Sequence, residues 1–170
     1  ATVVTKTFQV LPDTAPPSLT GTIPSGATNQ NLCFNAIPVG PTAAQIAAQY
    51  TDSCSGEITV VKSGTPTGDD CTWSVTYNYT IADKCNNFAT EVNITYSGGD
   101  KTAPALTGVV PSGATNQDLC FNAIPAGPTE AEIAALYTDN CGGAITVVKS
   151  GTPSGDDCTW SVTYNYTIAD

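Results

Sequence analysis

The sequence predicts a mainly β protein built from tandem repeats, and three observations carry that expectation. The first is the stretch from Cys71 to Cys85. Trp73, Val75, Tyr77, Tyr79 and Ile81 alternate with Thr72, Ser74, Thr76, Asn78 and Thr80, the period of two that marks a half-buried strand. The second is self-similarity. Residues from Leu19 to Asp83 align with Leu106 to Asp170 at a constant offset of 87, with 54 of 65 positions identical. The third is punctuation: 15 Gly and 12 Pro divide short apolar runs, as turns divide strands.

The elements follow in chain order. A weaker match links Ala1–Val4, Thr7-Phe8 and Thr14-Ala15-Pro16 to Ala89–Val92, Thr95-Tyr96 and Thr102-Ala103-Pro104 at an offset of 88. Residues 1–13 therefore read as the last strand of a preceding repeat. Residues 14–101 read as one complete repeat, and 102–170 as a following repeat cut before its last strand. Near-identical neighbours at a fixed period are the signature of a longer array. With no Met at position 1 and no charged-then-apolar leader, we expect a mature or excised piece whose export signal lies elsewhere.

Thr14-Ala15-Pro16-Pro17 is a stiff extended linker. Leu19–Ile23 and Asn31–Phe34 read as short strands. Pro41–Tyr50 reads as a helix, capped by Thr42 with Gln45 and, in the second copy, by Thr129 with Glu132. It is too short to stand alone in water and must dock on the sheet. Glu57–Lys62 is a further strand, joined through the turn-forming loop Gly64–Asp70 to the long one. Ala89–Tyr96 is the last. Short alternating strands at this spacing predict an immunoglobulin-like β-sandwich with one inserted helix per repeat.

Composition excludes several functions. The net charge is −10, all five basic residues are Lys, and there is no Arg, so phosphate neutralisation lacks its residues and nucleic acid is not expected as a partner. No apolar run reaches membrane-spanning length, so membrane insertion is not expected. The absence of His removes Ser-His-Asp and Cys-His catalysis and His-ligated zinc. Glu57 is replaced by Ala144 in the second copy, and no carboxylate pair with an evident role recurs. The chain is not expected to be an enzyme.

Seven cysteines spread singly through such a sequence indicate disulfides and an oxidising location. Four per repeat allow three pairings. Hairpin geometry favours Cys54–Cys85, whose midpoint falls in the loop, and leaves Cys33–Cys71. The second copy would repeat this as Cys120–Cys158, with the partner of Cys141 beyond the chain end. Each loop would stabilise by roughly 3–4 kcal/mol on the chain-entropy model.

Other sites are weaker. Asp52 and Asp83 each precede a cysteine of the proposed Cys54–Cys85 pair by two residues, and Asp69 and Asp70 lie in the hairpin loop. They are the calcium candidates, but no D-x-D-x-D-G loop is present, and turn capping is the more ordinary role. Trp73, Tyr77 and Tyr79 could form a sugar-stacking platform, yet their alternation places them in the core. Asn78, Asn93 and Asn165 stand in N-glycosylation sequons. Asp13-Thr14-Ala15 resembles an O-glycosylation motif of Bacteroidota, making Thr14 a modification candidate.

The order Cys33, Thr51-Asp52-Ser53-Cys54, Cys71 to Ile81 and Ala82-Asp83-Lys84-Cys85-Asn86-Asn87 resembles the HYR-like four-cysteine repeats of giant secreted surface adhesins in Bacteroidota. The junction Lys101-Thr102-Ala103-Pro104 resembles the repeat boundary of flavobacterial adhesins of the gliding-motility type. The resemblance covers nearly the whole chain; Asn86-Asn87 departs from the usual Gly-Asn. It implies an immunoglobulin-like fold, export by the type IX secretion system to the cell surface, and a place in the stalk of an adhesive fibre. Implied partners are neighbouring repeats, surface polysaccharide, and the gliding and secretion machinery. The alternative is a polysaccharide- or calcium-dependent binding module of a secreted multidomain protein.

Overall fold

A computed structural model describes residues 1–54 and 56–170. The chain is mainly β. The first unit contains β1 (Ser18–Leu19), β2 (Gln30–Asn31), α1 (Ala43–Ala47), β3 (Tyr50–Thr51), β4 (Thr59–Ser63), β5 (Thr67–Gly68), β6 (Trp73–Ala82) and β7 (Val92–Gly99). The second contains β8 (Ala105–Leu106), α2 (Glu130–Ala134), β9 (Tyr137–Thr138), β10 (Thr146–Ser150), β11 (Ser154–Gly155), β12 (Trp160–Ser161) and β13 (Asn165–Ala169). A short 3-10 turn follows Cys33 and another follows Cys120.

The long alternating strand is the middle of the main sheet, whose order is β2-β7-β6-β4, with β5 also on β6. β6 runs antiparallel to β4 and β7, and β2 lies parallel to β7. Every apolar residue that the period of two assigned to one face of β6 is buried, from Trp73 to Ile81. Ile94 of β7 joins them, and Ile46 and Tyr50 cover them from the opposite side. The aromatic tips find acceptors in the covering layer. The Trp73 indole N–H donates to the Leu32 carbonyl at 2.7 Å, Tyr77 Oη–H to Pro38 at 3.0 Å and Tyr79 Oη–H to Pro41 at 2.7 Å. These rings belong to the core, not to an exposed sugar platform. Lys62 lays its ammonium over the Tyr77 ring, 4.1 Å from its centre, a cation–π contact.

The helix is shorter than the sequence predicts. The capping box at Thr42 forms as expected, with the Thr42 hydroxyl accepting from the Gln45 amide at 3.2 Å and Gln45 Oε1 accepting from the Thr42 amide at 2.8 Å. At the other end the Gln49 carbonyl accepts from the Thr20 and Gly21 amides. Those bonds draw Tyr50 out of the helix and into β3, opposite Leu19. β7 also runs further than expected, through Gly98 and Gly99. A Cβ on Gly98 would lie 2.6 Å from the Trp73 ring, so only glycine allows the backbone to cross the indole there.

Residues 1–11 form no strand, and Val3, Val4, Phe8, Val10 and Leu11 are exposed. The counterpart segment, β7, gains its structure from β6 of its own unit. Among the described residues, no strand pairs with residues 1–11.

Candidate functional site: the junction between units

The two units meet where the linker leaves β7. The Lys101 amide donates to Asn31 Oδ1 at 2.9 Å, and Asn31 Nδ2 donates to the Thr102 hydroxyl at 3.1 Å. The Lys101 ammonium donates to the Asn29 carbonyl at 2.8 Å and to its side chain. Asn29 has a φ of 59°, a left-handed conformation that asparagine tolerates better than most residues. The linker is therefore fastened to the end of the first unit by several bonds, beyond the stiffness that Pro104 gives it.

A covalent bond crosses the same junction. Cys33 of the first unit is joined to Cys141 of the second, with their Cα atoms 5.2 Å apart, within the usual range for a disulfide. This overturns the expected Cys33–Cys71 pair and the expectation that the partner of Cys141 lies past the chain end. Cys54, Cys71, Cys85, Cys120 and Cys158 carry free thiols, so Cys54–Cys85 and Cys120–Cys158 are not formed either.

The local geometry explains each correction. Asp70, not Cys71, faces the Cys33 turn, because its Oδ1 accepts from the Phe34 amide at 2.7 Å. Cys71 is held in a separate turn, its amide donating to Asp69 Oδ1 at 3.0 Å. In the second unit the Phe121 amide donates to Asp157 at 2.8 Å and the Cys158 amide to Asp156 at 2.9 Å. Cys54 faces the linker, near Asp13 and Asp52. Cys85 lies in the turn organised by Asp83.

The acidic residues divide in the same way. Asp83 is 4 % exposed; its carboxylate accepts from the Cys85 and Asn87 amides and from Asn87 Nδ2, at 2.8–2.9 Å. Burial pushes its pKa up, but the bonds from Asn87, Cys85 and Asn86 outweigh it and leave the group below its ordinary value. Asp83, Asp69 and Asp70 thus act as caps of turns. Asp52 and Asp83 do not fall in one cluster of potential ligands among the described residues. Instead Asp52 lies beside Asp13 and Cys54, and the same trio recurs as Asp100, Asp139 and Cys141, each with its ligating atoms within 4.8 Å of one another. Cys33, Asp70 and Cys141 also lie together, but the two sulfurs are committed to the disulfide. Two carboxylates and a sulfur fall short of the six to eight oxygens that Ca²⁺ takes.

Asp100 is held below the ordinary carboxylate value chiefly by the Thr102 amide; burial opposes this, and the Asn140 and Asp139 side chains assist. One oxygen each of Asp52, Asp100 and Asp139 is shielded from solvent without a hydrogen-bond partner in the protein. Asn140 directs its side-chain NH₂ to Cys141 Sγ at 3.1 Å and to Asp100 at 3.5 Å. The Cys54 thiol is pushed up, first by its hydrogen bond to Asp13 and then by burial and the nearby carboxylate charges, with Ser53 opposing.

The recurring Thr-Ala-Pro, at an offset of 88, sets Asp13 against Lys101 and hides Asp13 and Asp100 as counterparts. The offset of 87 that governs the rest of the repeat sets Asp13 against Asp100, and the structure agrees. Asp13 accepts from the Ala15 amide at 3.0 Å and Asp100 from the Thr102 amide at 2.9 Å, the same turn two residues long.

Thr14 is exposed, as are Asn93 and Asn165, while Asn78 is half-buried opposite Asn93. Among the described residues, no helix is long and apolar enough to cross a membrane. Comparisons with family models, with characterised proteins and with solved structures give no match.

Proposed function

We propose that this chain is a stalk segment of a long extracellular fibre, in which each unit is an immunoglobulin-like spacer. In that reading the β1–β3 ribbon and α1 form the layer packed against the main sheet. The observation that carries the proposal is the junction. A disulfide, the Asn31, Asn29 and Lys101 bonds and a proline linker all hold one repeat to the next. A set of independent binding modules on flexible tethers has no need of a covalent bond between units, whereas a load-carrying array gains from one. A crosslink between repeats limits how far each can be pulled from its neighbour, and stiff linkers limit bending.

Disulfide chemistry favours an oxidising, extracellular setting. The resemblance to HYR-like adhesin repeats adds the finer reading: display on a bacterial surface by the type IX secretion system, in an attachment or gliding fibre. The chain itself has a structural and not a catalytic role. Gold-labelled antibodies raised against the chain should decorate filaments projecting from intact cells of the producing organism. Label found only after cells are opened would overturn the reading.

A further inference from the structure

We propose that Cys54 and Cys120 are the two open halves of the same junction, each made to take the matching cysteine of a neighbouring repeat, which a second copy of this chain supplies head to tail. Cys33 stands at a fixed place in its unit, and Cys141 is the counterpart of Cys54, since 141 − 87 = 54. The formed bond therefore joins the Cys33 position of one repeat to the Cys54 position of the next. Applied again, the same rule pairs Cys120 with the Cys54 position of the repeat that follows, which Cys54 of a second copy supplies.

Both halves keep the cysteine-bearing turns of the closed example, although Asp118 stands in the place of Asn31, Ser53 in that of Asn140 and Thr14 in that of Lys101. The Cys141 amide donates to Asp139 at 2.7 Å, and the Cys54 amide to Asp52 at 2.9 Å. Asp100 flanks Cys141 as Asp13 flanks Cys54. On the other side, Cys33 precedes its 3-10 turn with φ −66° and ψ 158°, and Cys120 precedes its own with φ −66° and ψ 157°. The amide that follows each is held by the matching aspartate, Asp70 or Asp157. Asn116, the counterpart of Asn29, keeps the left-handed conformation at φ 53°. Cys54 and Cys120 are both exposed.

The contact uses different surfaces on the two partners. Such an arrangement does not close on itself unless the rotation brings it round, and it otherwise extends as a filament. The chemistry is thiol–disulfide exchange. The Cys120 thiolate attacks a small disulfide such as oxidised glutathione and releases one glutathione thiolate. The Cys54 thiolate of the other copy then attacks the Cys120 sulfur of the mixed disulfide and displaces the second. Two protein thiols give up two protons and two electrons, and one small disulfide becomes two thiols.

The inference deepens the stalk reading and rests on it for its setting. It can fail in a purified sample while surface labelling succeeds, and the converse also holds. The test is incubation of the concentrated, purified chain with reduced and oxidised glutathione, followed by non-reducing electrophoresis and peptide mass mapping. A ladder of oligomers joined by Cys54–Cys120 peptides is expected, with Cys33–Cys141 retained in every copy. Cys54→Ser alone and Cys120→Ser alone should stay monomeric. Their mixture should yield a dimer and nothing larger, which also shows that each variant folds. Monomers only, oligomers joined through Cys71, Cys85 or Cys158, or an undiminished ladder from Cys54→Ser would overturn the proposal.

Discussion

Trp73 and Trp160 occupy identical places in two copies of one sequence, and each donates its indole N–H to a leucine carbonyl at 2.7 Å. Yet Trp73 is 1 % exposed and Trp160 is only partly covered. The same contrast runs along the whole strand. Val75, Tyr77, Tyr79 and Ile81 are buried, whereas Val162, Tyr164, Tyr166 and Ile168 are half-buried. The long strand is continuous in the first unit and broken into β12 and β13 in the second. What differs is β7. In the first unit it pairs with β6 over seven positions from Trp73 to Tyr79, and in the second no strand among the described residues stands in its place. A cleft of about 440 Å³ lies there, bordered by Ser112, Gly113, Trp160 and Tyr164. Alternation sets which residues face inward, but a neighbouring strand is needed to bury them.

This comparison can be broken most sharply at the tryptophans. Trp73→Ala should cost about 3–5 kcal/mol, as for large aromatic residues in cores, and Trp160→Ala well under half of that. Urea denaturation followed by hydrogen exchange of each unit would separate the two. Equal costs would mean that β7 contributes little to the packing.

Glycine gives a cleaner pair with a smaller effect. A Cβ at Gly26 would sit 1.8 Å from the Thr95 carbonyl oxygen of β7, whereas its counterpart Gly113 has nothing within 4 Å. Gly26→Ala should therefore destabilise the first unit by about 1–3 kcal/mol, and Gly113→Ala should stay within about 0.5 kcal/mol of neutral. Thermal unfolding of the two variants would decide it.

The helix caps provide a case in which the units should match at neutral pH and part in acid. Thr42→Ala and Thr129→Ala should each cost about 1 kcal/mol. Gln45 completes the first capping box, but Glu132 completes the second, and the Thr129 amide and hydroxyl hold its carboxyl below its ordinary value of 4.5. A depressed folded pKa means that its stabilisation is present above that value and is lost as pH falls through the folded one. α2 should weaken on acidification while α1 keeps its cap. Asp83 acts in the same direction on the first unit, below its ordinary 3.8, so Asp83→Asn should flatten that unit's acid sensitivity in a pH series of denaturation midpoints.

The smallest expected effect is kinetic and belongs to the junction. Because Asp13 is the first cause of the raised Cys54 pKa, Asp13→Asn should lower it. Alkylation by iodoacetamide at neutral pH should then be faster than in the parent chain, since the thiolate is the reacting form. An unchanged rate would place the Asp13 carboxylate away from the thiol.

The legible features were those written locally. The alternating strand, the capping box and the turn residues each depend on a few neighbours, and each appears where the sequence puts it. Tyr50 reads as helical in the sequence but lies in β3, because its fate depends on Gln49 meeting Thr20 and Gly21, some thirty residues away. The disulfide was hidden for a stronger form of that reason. Pairing cysteines within one repeat is the economical choice when each repeat is treated as a closed unit, and a bond of sequence separation 108 requires the relative placement of two units. Asp13 and Asp100 could have been found, because the constant offset of 87 aligns them; the more conspicuous Thr-Ala-Pro match drew the alignment one residue away.

The central claim is that successive units are covalently joined at their junction. Proteolysis of the native, thiol-blocked protein under non-reducing conditions, followed by mass spectrometry, tests it directly. A peptide pair linking Cys33 to Cys141, with Cys71 and Cys85 alkylated, is the predicted result. Recovery of Cys33 linked to Cys71, together with Cys54 linked to Cys85, would show units closed on themselves and would contradict it.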